Sequence, residues 1–205
     1  MKNTLNKMFF GLNITWTKVI LLSIISAIFI AAMLITPITV NTSLAASGTT
    51  FELWIFLTLI IVMNSKKPIE AGLKTFVFFL VSQPLIYLLQ VPFSHLGWKI
   101  FMFYPKWFIF TLLTFPGAIL AWFVRKDNLF STLILTVATV LLAYLGKYYV
   151  TYVVNRFPYY ILAMLFCFAQ AFGYEFILLK NKTNRVVCFS LTLLFTIIIF
   201  VFNIV

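Results

Sequence analysis

Long apolar runs alternate along the chain with short polar joints. The runs predict helices over residues 17–36, 50–64, 69–91, 106–124, 128–146, 158–179 and 186–204. Most approach the roughly 20 apolar residues a helix needs to cross a hydrocarbon core about 30 Å thick. Inside a bilayer no water is available to backbone N–H and C=O groups, so such runs satisfy themselves as helices. The pattern therefore predicts an all-α, polytopic integral membrane bundle of about seven transmembrane helices. Short joints make successive helices antiparallel. Residues 1–16 read as a cytoplasmic interfacial segment, with Met8, Phe9, Phe10, Leu12 and Trp16 among Lys and Asn. Residues 17–205 read as a single transmembrane domain.

Breakers and caps set the expected joints. Pro37 and Pro92 close the first and third runs, and residues 38–49 read as a polar outer loop. Thr49-Thr50-Phe51-Glu52 has the spacing of a capping box at the start of the second run. Asp127 or Asn128 is placed to cap the fifth run, Gly146 to end it, and Pro158 to occupy the first turn of the sixth. Tyr148, Tyr149, Tyr152, Tyr159 and Tyr160 form an aromatic belt at the outer interface. Ser43-Leu44-Ala45 resembles a small-x-small cleavage site behind a basic N-terminus. The apolar run before it is longer, and the site farther away, than a signal peptide requires. Cleavage would leave six spans without changing any other orientation.

Charge orients the bundle. Of the 15 basic residues, Lys2, Lys7, Lys18, Lys66, Lys67, Lys74, Arg125, Lys126, Lys180, Lys182 and Arg185 fall on one side. Only Lys99, Lys106, Lys147 and Arg156 fall on the other. This is the positive-inside bias, and it places the N-terminus in the cytoplasm and the C-terminus outside. With 63% hydrophobic and 9% charged residues, the net charge of +11 reflects orientation and anionic headgroups, not nucleic acid. Few acids with abundant Lys, Asn and Phe fit a bacterial plasma (inner) membrane.

Polar groups inside the runs are the candidates for chemistry. Pro84 and Pro116 each remove a helix hydrogen bond in mid-span and are expected backbone kinks, freeing the carbonyls of Leu80 and Leu112. Ser82, Gln83 and Thr114 are near enough in sequence to serve those carbonyls. Gln83 and Gln90 share a helical face with Tyr87, and Cys167, Gln170 and Tyr174 share another with Glu175 beside it. Thr132, Thr136 and Thr139 form a third stripe. Such faces either close around a cavity or bond helices to one another. Glu175 is a buried acid that Lys74 or Lys180 could neutralise, and Glu70 precedes Lys74 by four residues, the order that favours an ion pair. Lys74 to Pro84 also aligns without gaps to Lys106 to Pro116, an arrangement that fits either an inverted repeat or chance in a Phe-rich chain.

No serine-hydrolase elbow, zinc-protease motif or nucleotide-binding glycine loop is present. His95 is the single histidine, so no metal site, cofactor or enzymatic activity is expected. The expected function is binding, or helping to transport, a small apolar or amphipathic molecule in an intramembrane cavity between the third, fourth, fifth and sixth spans. Gln83, Gln90, Thr114, Gln170 and Glu175 would line it. The alternative is a non-catalytic accessory or interaction subunit, touching a membrane-protein partner through Ser23/Ala27/Ala31 or Ala169/Gly173. The small-residue spacing Ser23/Ala27/Ala31 resembles that of the substrate-binding subunits of vitamin transporters. The resemblance implies docking through that stripe, although the span count here differs.

Overall fold

The computed structural model describes residues 2–202, and no strand occurs among them. The helices are α1 (Lys2–Phe10), α2 (Trp16–Ile35), α3 (Ser43–Thr49), α4 (Glu52–Met63), α5 (Pro68–Gln90), α6 (Tyr104–Trp122), α7 (Leu129–Asn155), α8 (Ile161–Leu178) and α9 (Lys182–Val201). Tighter 3-10 turns, Gly97–Phe103 and Phe123–Lys126, extend α6 at both ends. Six helices, namely α2 and α5 to α9, are long and apolar enough to cross a membrane. The pair α3 and α4 has the same character but is broken by a 62° bend, which makes seven if the pair counts as one span. The last residues assigned to the seventh run, 203–204, and the C-terminus lie outside the described residues.

Local chemistry explains where the helices begin. The hydroxyl of Thr15 accepts from the Lys18 N–H, and the Asn181 side chain accepts from the Thr183 N–H at the start of α9. Asn128 makes a reciprocal capping box with Ser131 at α7. Each cap satisfies backbone donors that a first helical turn leaves open. Pro68 and Pro105 stand at the first turns of α5 and α6, where a missing N–H costs nothing.

Several expectations are corrected. The outer loop 38–49 contains α3, whose Ser43, Ala45 and Gly48 are buried. The Ser43 hydroxyl donates to Tyr159 O (3.0 Å) and accepts from the Ala163 N–H (3.1 Å), tying α3 to α8. Gly146 does not end α7, which continues nine residues further to Asn155. There the glycine is a packing device, because a Cβ would stand 2.9 Å from the Phe168 ring of α8. Pro158 precedes α8, whose first residue is Ile161. Pro84 and Pro116, by contrast, keep the mid-helix positions expected of them, inside α5 and α6.

The helices pack as two groups. α5 is flanked by α2 and α6, and α7 by α8 and α9. The broken element α3–α4 lies between the groups, with α4 touching α5, α6 and α8. The stripe Ser23, Ala27 and Ala31 is buried in the bundle, where α2 has α5 as its main neighbour. It is therefore used internally and offers no docking face of the kind the vitamin-transporter resemblance implies. Phe9 of α1 inserts from the end of the bundle and packs edge-on to Phe56 and Tyr174, joining the two groups. The Asn64 side chain holds this arrangement by accepting from the Leu12 N–H and donating to Met8 O, both at 2.8 Å. Large apolar side chains are left exposed on the outer faces of α2, α6, α7 and α9, the surfaces a bilayer would cover.

Candidate functional site

An apolar cavity of about 370 Å³ opens between α4, α5, α6 and α7. It exists because α6 and α7, although consecutive, touch little, while α7 leans on α8 and α9. Trp54, Phe79, Trp107, Phe110 and Leu113 give its walls bulk, and Thr58 and Thr114 are its polar side chains apart from the Trp indoles. The indole N–H of Trp54 is buried with no hydrogen-bond partner among the described residues. Gly117 and Ala118, beside Pro116, keep the α6 wall shallow, and a Cβ added at Gly117 meets no atom within 4 Å. Phe110 and Leu113 are 46% and 58% exposed, so one edge faces the zone a bilayer would occupy.

Of the five residues expected to line a cavity, Thr114 alone lines this one. Its hydroxyl donates to Thr111 O at 2.7 Å and does not serve the Leu112 carbonyl freed by Pro116. Gln83 is buried on α5 with its Nε2 unpartnered, as is the Ser82 hydroxyl. Gln90, near the end of α5, donates to Ile86 O of its own helix at 3.0 Å. Gln170 accepts from the Tyr174 hydroxyl on α8. α5 and α8 belong to different helix groups, and none of the three glutamines is among the residues that wall this cavity.

Two threonines of the α7 face, Thr136 and Thr139, bond across to α9, while the Thr132 hydroxyl donates to Asn128 O at 3.1 Å. Thr139 and Thr192 of α9 pair their hydroxyls at 2.7 Å, and Thr136 reaches Cys188 Sγ at 3.4 Å. Buried in-membrane bonds of this kind contribute about 0.6–1.7 kcal/mol each.

Glu175 is fully enclosed, and neither carboxyl oxygen has a hydrogen-bond partner among the described residues. An enclosed carboxyl in that state calls for a proton or a cation as its companion. Neither lysine expected to neutralise it does so. Lys74 pairs with Glu70, as its spacing suggested, and also donates to Ile14 O at 2.5 Å. Lys180 lies over the Phe10 ring.

Two acids take roles the sequence did not reveal. Glu52 caps nothing: the residue before it, Phe51, is the N-cap of α4 and makes no side-chain cap bond. The residue is 1% exposed, and its carboxyl accepts from the hydroxyls of Thr50 (2.7 Å) and Tyr149 (3.0 Å). Its proximity to Tyr149, 97 positions away, left no local signal. Asp127, in the left-handed region at φ 50°, accepts from the backbone N–H of Lys180 and Asn181 and from the Asn184 amide. It thereby fastens the α6–α7 joint to the α8–α9 joint. Burial pushes the Asp127 carboxyl up, but the Asn184, Asn181 and Lys180 donors and the Arg185 charge outweigh it and hold it below the ordinary aspartate value. At the same end, the Trp122 indole (3.0 Å) and the Arg125 guanidinium both donate to Ser65 O and clamp the α4–α5 turn.

No group of three metal-ligating side chains gathers among the described residues. Compared with known protein families, with curated proteins and with solved structures, the chain has no match.

Proposed function

We propose that this chain is a non-enzymatic plasma-membrane protein that binds a small apolar or amphipathic molecule in the α4–α7 cavity and exchanges it with the bilayer. In this reading the broken pair α3–α4 is one span, giving seven, with the N-terminus cytoplasmic and the C-terminus outside. Residues 1–16 form the cytoplasmic segment and 17–205 one membrane unit.

The cavity carries the proposal. About 370 Å³ falls in the range of small-molecule sites, which are mainly apolar with a few placed polar groups. The exposed edge at Phe110 and Leu113 lets a ligand enter sideways from lipid, while Thr58, Thr114 and the free Trp54 N–H offer bonds to a polar head. Transport, if coupled, would draw on an ion gradient, with Glu175 as the coupling carboxyl.

A second reading, an accessory subunit, has one observation in its favour. Ala169 is exposed and a Cβ at Gly173 meets nothing within 4 Å, so this small-residue face of α8 is unfilled.

The test keeps Trp54 as the sole tryptophan and reconstitutes the chain with lipid brominated on its acyl chains. Quenching of Trp54 that is lost on Gly117→Phe supports entry into the cavity. Absent quenching, or equal quenching in both proteins, contradicts it.

A further inference from the structure

The tyrosines that read as an interfacial belt wall a second pocket of about 300 Å³, separate from the apolar cavity, where α3 meets the far ends of α7 and α8. Tyr148, Tyr149, Tyr152 and Tyr160 line one side, and their rings form a connected cluster with centroids 4.8–6.1 Å apart. Thr50 and Tyr149 also line it, and Glu52 stands behind them with its carboxyl against both hydroxyls.

Hydrogen accounting makes this corner short of donors. Thr50 Oγ1 lies 2.7 Å from Ala46 O, 2.7 Å from Glu52 Oε1 and 2.7 Å from Tyr149 Oη. Tyr149 Oη lies 3.0 Å from the same Glu52 oxygen. With the carboxyl ionised, four close oxygen contacts share two hydroxyl hydrogens, since each hydroxyl donates once, and an enclosed carboxylate in that state calls for a cation as its companion. The second Glu52 oxygen is buried with no hydrogen-bond partner among the described residues. No Lys or Arg lines the pocket, and Arg156 lines an adjoining cleft instead.

We propose that this pocket binds a small organic ammonium ion. Tyrosine faces attract cations through their negative ring surface. An enclosed carboxyl acts across a low-dielectric gap more strongly than it would through water. A primary ammonium such as that of ethanolamine would also bring the N–H donors that the oxygen cluster lacks, whereas a quaternary one such as that of choline would be held by the ring faces and the carboxyl charge. An anionic ligand would meet the carboxyl with no compensating charge on the wall, and a purely apolar one would bring neither charge nor donors.

The test is calorimetric titration of the full chain in lipid nanodiscs, with choline and ethanolamine as separate probes. Saturation by at least one probe below about 10 mM is expected. The uncharged isostere of choline, with a tert-butyl group in place of the trimethylammonium, should bind at least about tenfold more weakly. Glu52→Gln and Tyr152→Leu should each weaken binding about tenfold, while Gly117→Leu, in the apolar cavity, should leave it unchanged. Tyr152→Leu keeps the test informative if Glu52→Gln does not fold. Saturation by neither probe overturns the proposal. So does equal binding of the neutral isostere, or wild-type binding by a folded Tyr152→Leu protein. None of these outcomes bears on the apolar cavity, whose ligand and variants are different.

Discussion

Asp127 offers a clean perturbation, because Asn has nearly its shape and also tolerates the left-handed backbone at φ 50°. Asp127→Asn therefore removes charge without adding backbone strain. The carboxylate accepts from the Lys180 N–H at 2.7 Å and the Asn181 N–H at 2.5 Å, at the start of α9. Hydrogen bonds to a charged group contribute about 1.5–3 kcal/mol each and neutral ones about 0.5–1.5. Asp127 is only partly buried, so solvent screening reduces the difference, and a loss of about 1–2 kcal/mol at neutral pH is expected. The sign with pH follows from its depressed folded-state value. Its contribution is fully present above the unfolded aspartate value and is lost as pH falls through the folded one. Denaturant titration of the detergent-solubilised protein, followed by tryptophan fluorescence, measures both effects. The wild type should exceed the variant at pH 7, and the gap should narrow as the solution is taken below about pH 4. Equal stability at pH 7, or a gap that does not change on acidification, refutes the reasoning.

Gly146→Ala places a Cβ 2.9 Å from the Phe168 ring at the α7–α8 interface and should cost about 1–3 kcal/mol in the same assay. Gly173→Ala, where the Cβ meets open space, should be neutral or stabilising. Asn64→Ala removes the two bonds that hold the 8–12 segment, at about 1 kcal/mol each. Residues 1–16 should then be cut by protease at a lower dose than in the wild type, while the rest of the bundle stays intact.

Much of the fold was legible in the sequence because the bilayer constrains it so strongly. Apolar runs, proline positions and short joints located the six described helices that are long and apolar enough to cross a membrane to within a few residues at most ends. The exceptions share a cause. Gly146 and Gly48 have the composition of terminators and loops, yet each marks a close approach to a bulky side chain, Phe168 and Ile30. Glycine as a breaker and glycine as a packing notch look alike until the partner is known. Glu52 likewise fits a local capping pattern, while its real partner Tyr149 is distant in sequence.

The candidate site was legible only in kind. Gln83, Gln170 and Glu175, expected to line a cavity, are buried in the bundle. Helical spacing could not show that α5 and α8 belong to different groups, or that the gap lies between α6 and α7. That gap depends on how whole helices lean, which no residue spacing encodes. The Glu70–Lys74 pair was readable because both partners sit one turn apart on a single helix.

Whether the α4–α7 cavity holds a ligand is decided by native mass spectrometry of the full chain, released gently from its own membrane, beside its Gly117→Phe variant. A discrete apolar or amphipathic small-molecule adduct is expected on the wild type and not on the folded variant. A wild type free of any small adduct, or an adduct retained when the cavity is filled, would contradict the proposal.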